Sequence, residues 1–197
     1  GVVRFSLAIG VGLGRNTVAS STQAIVSEAT SLKSEQGSIS VSASNTADVS
    51  SLGVAVSIGS GMSKSGVGVS LAGGGSESTN IVSRDVIAEI SGVSDIQAKH
   101  VLALTANDAA SIAAESGVGT FSGGGGLSIG AALARNYVGY DAELNETDDK
   151  THAVLDYSGN LTSGSVSVTA NEQISIDSDV GAASMALAYN AFSLSPT

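Results

Sequence analysis

The segments Ile39-Ser40-Val41-Ser42-Ala43, Leu102-Ala103-Leu104-Thr105-Ala106 and Val166-Ser167-Val168-Thr169-Ala170 share one pattern, with central residues 63 and 64 positions apart. A chain that restates itself at a fixed interval builds equivalent units that stack, because none can bury its apolar face alone. The match extends downstream, where Val49, Ile112 and Ile176 each follow the closing alanine by six residues. It also extends upstream. Asn16-Thr17-Val18, Asn80-Ile81-Val82 and Asn136-Tyr137-Val138 each lead into a short alanine-centred segment. Asn16 to Ala24 and Asn80 to Ala88 are both 8 residues, whereas Asn136 to Ala153 is 17. The surplus is an acidic loop inserted at 139–150. The units are expected to run over 1–58, 59–121 and 122–197, as one segment of a longer chain.

Within each unit the apolar period is two. Serines alternate with Ile39, Val41 and Ala43, and Ser165 to Ala170 repeats the alternation. That pattern puts one face of a strand on a core and the other in solvent. The windows are short, β-branched and punctuated by Gly, Ser and Asn, and no capping signature opens a long amphipathic run. The chain is therefore expected to be all-β. A β-sandwich would carry hairpin signals, and neither Asn-Gly nor Asp-Gly occurs. The expected architecture is a parallel β-solenoid, a right-handed β-helix, built from 63–64-residue internal repeats of about three coils each. Nine or so coils at ~4.8 Å would make a rod roughly 45 Å long. Its narrow interior is expected to be filled by stacked Ala, Val, Ile and Leu. Asn16, Asn80 and Asn136 suit its corners, because Asn tolerates the left-handed conformation and bonds its own backbone. The runs Gly73-Gly74-Gly75 and Gly123-Gly124-Gly125-Gly126 suit turns or loops.

Composition narrows function. Eight Lys and Arg against eighteen Asp and Glu leave a net charge of −10, with no basic cluster for phosphate. No nucleic-acid partner is expected. There is no cysteine, hence no disulfide framework, thiolate metal site or cysteine nucleophile. No apolar run reaches the ~18 residues of a spanning helix, and three Phe and four Tyr cannot supply the aromatic girdles of a membrane barrel.

Chemistry has few candidates. His100 and His152 are the only histidines, and neither has a second at ligand spacing. No Gly-x-Ser-x-Gly elbow occurs, and no Lys-Ser/Thr follows a glycine run. Asp177 and Asp179 share the solvent face of a strand, about 7 Å apart. A carboxylate pair of that kind can cleave glycosides, but it does not recur in the other units, so no enzymatic activity is expected. Asp141, Glu143, Glu146, Asp148 and Asp149 crowd the inserted loop. Calcium takes six to eight oxygen ligands, which makes these five a candidate calcium site, although their spacing fits neither an EF-hand nor a β-roll nonapeptide. No other cofactor is expected.

The succession Asn-x-Val, then Ala-x-Ile or its equivalent, then Val-x-Val-x-Ala and a glycine-bearing apolar strand resembles the repeats of very large bacterial surface adhesins and hemagglutinin- or leukotoxin-like exoproteins. The resemblance implies an exported, extracellular protein of the bacterial cell surface whose repeats form β-helical stalks. Its expected role is a structural or adhesive module, a rigid stalk or fibre able to associate into filaments. Partners would be neighbouring repeats of the same chain, copies of itself, and host-cell or matrix glycans and proteins. A polysaccharide-binding or polysaccharide-cleaving β-helix is the alternative.

Overall fold

The computed structural model describes residues 3–61 and 68–187; the ends of the outer repeat units lie outside these. All six elements are strands, in order β1 (Arg4–Ser27), β2 (Ser31–Ser34), β3 (Ile39–Ser60), β4 (Gly68–Gly123), β5 (Leu127–Val138) and β6 (Lys150–Leu187). They form one open sheet in which β4 pairs in parallel with every other strand.

The register corrects one expectation. Arg4 pairs with Gly68, Ile39 with Leu102 and Leu102 with Val166, so a residue's neighbour in the sheet is its equivalent one repeat away. Each repeat is a single level, not three coils of about 21 residues. Strands β1 and β3 are 24 and 22 residues long, so two strands and a bend consume the repeat. Nothing breaks them, since the one proline of the chain is Pro196. Three levels at ~4.8 Å replace the longer rod.

Within the first level the chain runs out along β1, bends, and returns along β3 facing it. Glu28 and Gly92 hold the bend in successive levels with φ of 55° and 64°. At this end the layers stand apart around a conventional core of Ile39, Val41, Val86, Ile90, Ile96, Leu102 and Leu104. A smaller cluster of Val49, Val82, Ala110 and Ile112 follows. Beyond it the layers almost touch. A Cβ on Gly10 would lie 2.5 Å from the Val56 carbonyl oxygen, and one on Gly12 would lie closer still to that of Val54. Along the first level the inward side chains there are small, those of Gly10, Gly12, Gly14, Ser51, Gly53, Ala55 and Ser57, and the second level adds Ala72, Val118 and Thr120. Ser51 bonds Ser78 at 2.5 Å, Ser76 bonds Ser116 at 2.7 Å and Ser70 bonds Ser122 at 2.6 Å.

The alternation of the first level is therefore inverted at this thin end, where small residues replace the expected Ile and Leu filling. Phe5, Leu7, Ile9, Val11 and Leu13 point outward on one face, and Leu52, Val54, Val56 and Ile58 on the other, all more than half exposed. A period of two gives two faces, and the spacing between layers decides which one is inside. The two glycine runs separate in the same way. Gly73, Gly74 and Gly75 lie inside β4, whereas Gly124 and Gly125 make the turn into β5 with φ of 84° and 78°.

Candidate functional site

Asn16, Asn80 and Asn136 are not corner residues. They lie in β1, β4 and β5, in mutual register, and Asn80 is completely buried between the layers. Asn16 Nδ2 donates to Asn80 Oδ1 at 3.2 Å, and Asn80 Nδ2 donates to Asn136 Oδ1 at 2.8 Å. Each amide also donates across to the returning strand: Asn16 to Ser50 O, Asn80 to Ala113 O at 2.6 Å, and Asn136 to Asp177 O at 2.6 Å. An amide is needed because it alone supplies two donors and an acceptor on so short a stem. The ladder ties level to level and layer to layer at the place where the interior narrows.

One rung nearer the bend, Arg84 and Asp108 form a buried ion pair at 3.2 Å, each side chain 2% exposed. Asp108 also accepts from Asn45 Nδ2 at 3.2 Å. Nothing in the repeat pattern singles this pair out. The register equivalents of Arg84 and Asp108 in the first level are Ser20 and Asn45.

The inserted loop, 139–149, bulges out between β5 and β6 opposite Ser83 and Arg84. Its carboxylates hold the loop's own shape. Asp141 accepts from the backbone of Glu143 at 3.0 Å and of Asn145 at 2.8 Å. The side-chain and backbone bonds from Asn145 hold the Asp141 carboxyl below its ordinary value. Asp149 accepts from Ser83 Oγ at 2.9 Å and from Thr147 Oγ1 at 2.8 Å. Asp148 pairs with Lys150 at 2.5 Å, which raises the lysine's pKa. Glu143 and Glu146 are exposed. Asp141, Asp148 and Asp149 thus face separate local partners, and among the described residues no three His, Cys, Asp or Glu groups gather around a common point. Arg15 Nη2 donates to Ala142 O at 2.6 Å, which ties the loop to the first level.

Asp177 and Asp179 are both exposed on β6, and Asp179 lies in register with Glu115. His100 and His152 are exposed as well. An open trough of about 590 Å³ crosses all three levels on the β3 side, lined among others by Thr46, Asp48, Ser111, Glu172, Gln173 and Ser175. No helix is long and apolar enough to cross a membrane among the described residues.

Comparison with known proteins found no matching family model, no matching curated protein and no matching solved structure.

Proposed function

We propose that this chain is a load-bearing structural module, three levels of a parallel β-solenoid that serves as a stalk or adhesive fibre of a large secreted bacterial surface protein. The observation that carries the reading is the parallel register, in which the second level pairs with the first and third along most of its length, interrupted only by shifts between Ile90 and Val101 and by the inserted loop. Backbone bonds of this kind link levels in series, and the Asn ladder adds side-chain links along the same axis. No enzymatic role is needed to account for any of these residues. Acidic and hydroxyl side chains keep the thick end solvated.

Single-molecule extension from the two chain ends tests the proposal. Release of one level frees about 64 residues, hence length increments of roughly 220 Å. A sawtooth of that spacing at forces well above those that stretch an unfolded chain supports a stalk. Featureless stretching would contradict it.

The open trough across the three levels, where Asp48 and Glu172 stand beside Ala47, Ala110 and Ile174, favours one second reading, a polysaccharide-binding face using the two carboxylates as hydrogen-bond acceptors. Binding to a glycan array that is lost in Asp48→Ala would favour it.

A further inference from the structure

The outward face of β1, β4 and β5, opposite the trough, carries a second cleft of about 360 Å³, bounded by the sheet and the inserted loop. That volume falls at the small end of the ~300–1,000 Å³ of small-molecule sites. Asn16, Asn80 and Asn136 point between the layers, so the residues on either side of each point outward. One outward row is therefore Arg15, Thr79 and Arg135, in register across the three levels. The next is Thr17, Ile81 and Tyr137. Two guanidiniums far apart in sequence thus share one row, two levels or ~9.6 Å apart.

The inserted loop reaches over these rows. Ile81 faces outward yet is 1% exposed, whereas its first-level equivalent Thr17 is exposed. Arg15 Nη2 holds the loop through Ala142 O, and Leu144 lines the cleft together with Leu13 and Tyr137. The Tyr137 ring is set by an edge-on contact with Tyr140, centroids 5.7 Å apart. Leu144 has a φ of 63°, a left-handed conformation that is rare for a bulky residue. Glycine or asparagine would take it without strain, so what leucine adds here is an apolar wall. Strain of this kind clusters at ligand clamps. The first two levels pair residue for residue through this stretch with no insertion, so the scaffold itself does not need the loop.

The charges in the cleft do not cancel. Glu77 accepts from Thr79 Oγ1 at 3.1 Å and pairs with Arg135 at 3.3 Å. Arg15 meets the neutral carbonyl of Ala142 and forms no ion pair among the described residues. Asp141, close by in the loop, is occupied by the amides of Glu143 and Asn145. One uncompensated guanidinium therefore stands among apolar walls, in a chain of net charge −10.

We infer that this cleft binds a small organic monocarboxylate, with its carboxylate on Arg15 and an aliphatic or aromatic body against Leu13, Ile81, Tyr137 and Leu144. A guanidinium matches a planar carboxylate through paired N–H donors. One donor spent on Ala142 O leaves the rest of its five for the ligand. A single uncompensated charge suits a monoanion, whereas a phosphate dianion would add repulsion from Glu77 and the acidic loop. This site goes beyond the stalk reading and stands or falls separately from it.

Chemical-shift titration of the full chain with phenylbutyrate tests the inference, with acetate and phenylbutanol as probes of the charge alone and the body alone. Saturable shifts are expected at Arg15, Thr79, Ile81, Tyr137 and Leu144, with half-saturation on the order of a millimolar. Both controls are expected to bind roughly tenfold more weakly or worse. In Arg15→Gln the acid is expected to weaken roughly tenfold or more, with the weak binding of the alcohol unchanged. Leu144→Gly relieves the left-handed conformation and removes one wall. Its melting temperature is expected to be unchanged or higher, while the acid binds roughly threefold more weakly or worse. Acetate or phenylbutanol that matches the acid overturns the inference. So does an Arg15→Gln chain that keeps full affinity for the acid, or that loses acid and alcohol together because Arg15 only holds the loop. A wild-type chain that shows no saturation at tens of millimolar overturns it as well.

Discussion

Gly12→Val is expected to unfold the thin end of the protein, at a cost of about 4 kcal/mol or more against a typical total stability of ~5–15 kcal/mol. The cause is geometric. A Cβ on Gly12 would overlap the Val54 carbonyl oxygen and carbon. Both obstacles are backbone, held by parallel pairing to the second level, and neither can rotate away. Relief requires separating the layers, which would break the Ser51–Ser78 and Ser76–Ser116 bonds and open the interior to water. Valine has the higher β-propensity, so a scale that ignored the opposing layer would give the opposite sign. Chemical denaturation with hydrogen exchange measures the effect. Loss of amide protection at residues 4–14 and 52–60, with the bend-end core still protected, is the expected pattern.

Asp108→Ala should be nearly as damaging, and its rescue is informative. Removing the carboxylate leaves the Arg84 guanidinium enclosed with no counter-charge, which costs about 3–5 kcal/mol. Asn45 Nδ2 loses the shorter of its two hydrogen bonds at the same time, keeping the 3.5 Å bond to Ser20 Oγ. Replacing both partners in Arg84→Met/Asp108→Leu removes the stranded charge and is expected to recover most of the loss, because buried pairs often contribute little net stability over apolar residues of similar volume. Denaturation midpoints of the single, the double and the wild-type chain decide this. A double variant no more stable than Asp108→Ala would contradict it and assign the pair a larger net contribution.

Much of this architecture is legible in the sequence. The 63- and 64-residue spacings align residues that turn out to be hydrogen-bonded neighbours, among them Val41, Leu104 and Val168. The extra residues before Ala153 mark a loop that leaves the scaffold between β5 and β6. How many turns a repeat makes is not legible from its period, since 64 residues can fold as three short coils or one long excursion. The better signal was the lack of a strand breaker from Arg4 to Ser27. The alternation of Ile9, Val11 and Leu13 with Gly10, Gly12 and Gly14 is equally ambiguous. It marks two faces, and only the distance to the opposite strand shows that glycine must be inside. The recurring Asn is visible, but its role as a bond between levels and layers depends on partners 33 to 64 residues away. Arg84 and Asp108 left no trace, because each occurs in a single level.

The central claim is that one 64-residue repeat makes one level of the stack. The chain contains no cysteine, so an engineered pair reports on that claim directly. Ser42 and Thr105 are register partners on the outward side of adjacent levels. Their Cα atoms should lie ~4.8 Å apart, within the roughly 4.4–6.8 Å that a disulfide spans. Ser42 and Thr169 lie two levels apart, about 9.6 Å, which is too far. Ser42→Cys/Thr105→Cys is predicted to close an intramolecular disulfide on mild oxidation, with Ser42→Cys/Thr169→Cys remaining reduced. Three coils per repeat would put residues 42 and 105 about 14 Å apart, so a first pair that fails to close in the folded monomer would contradict the account.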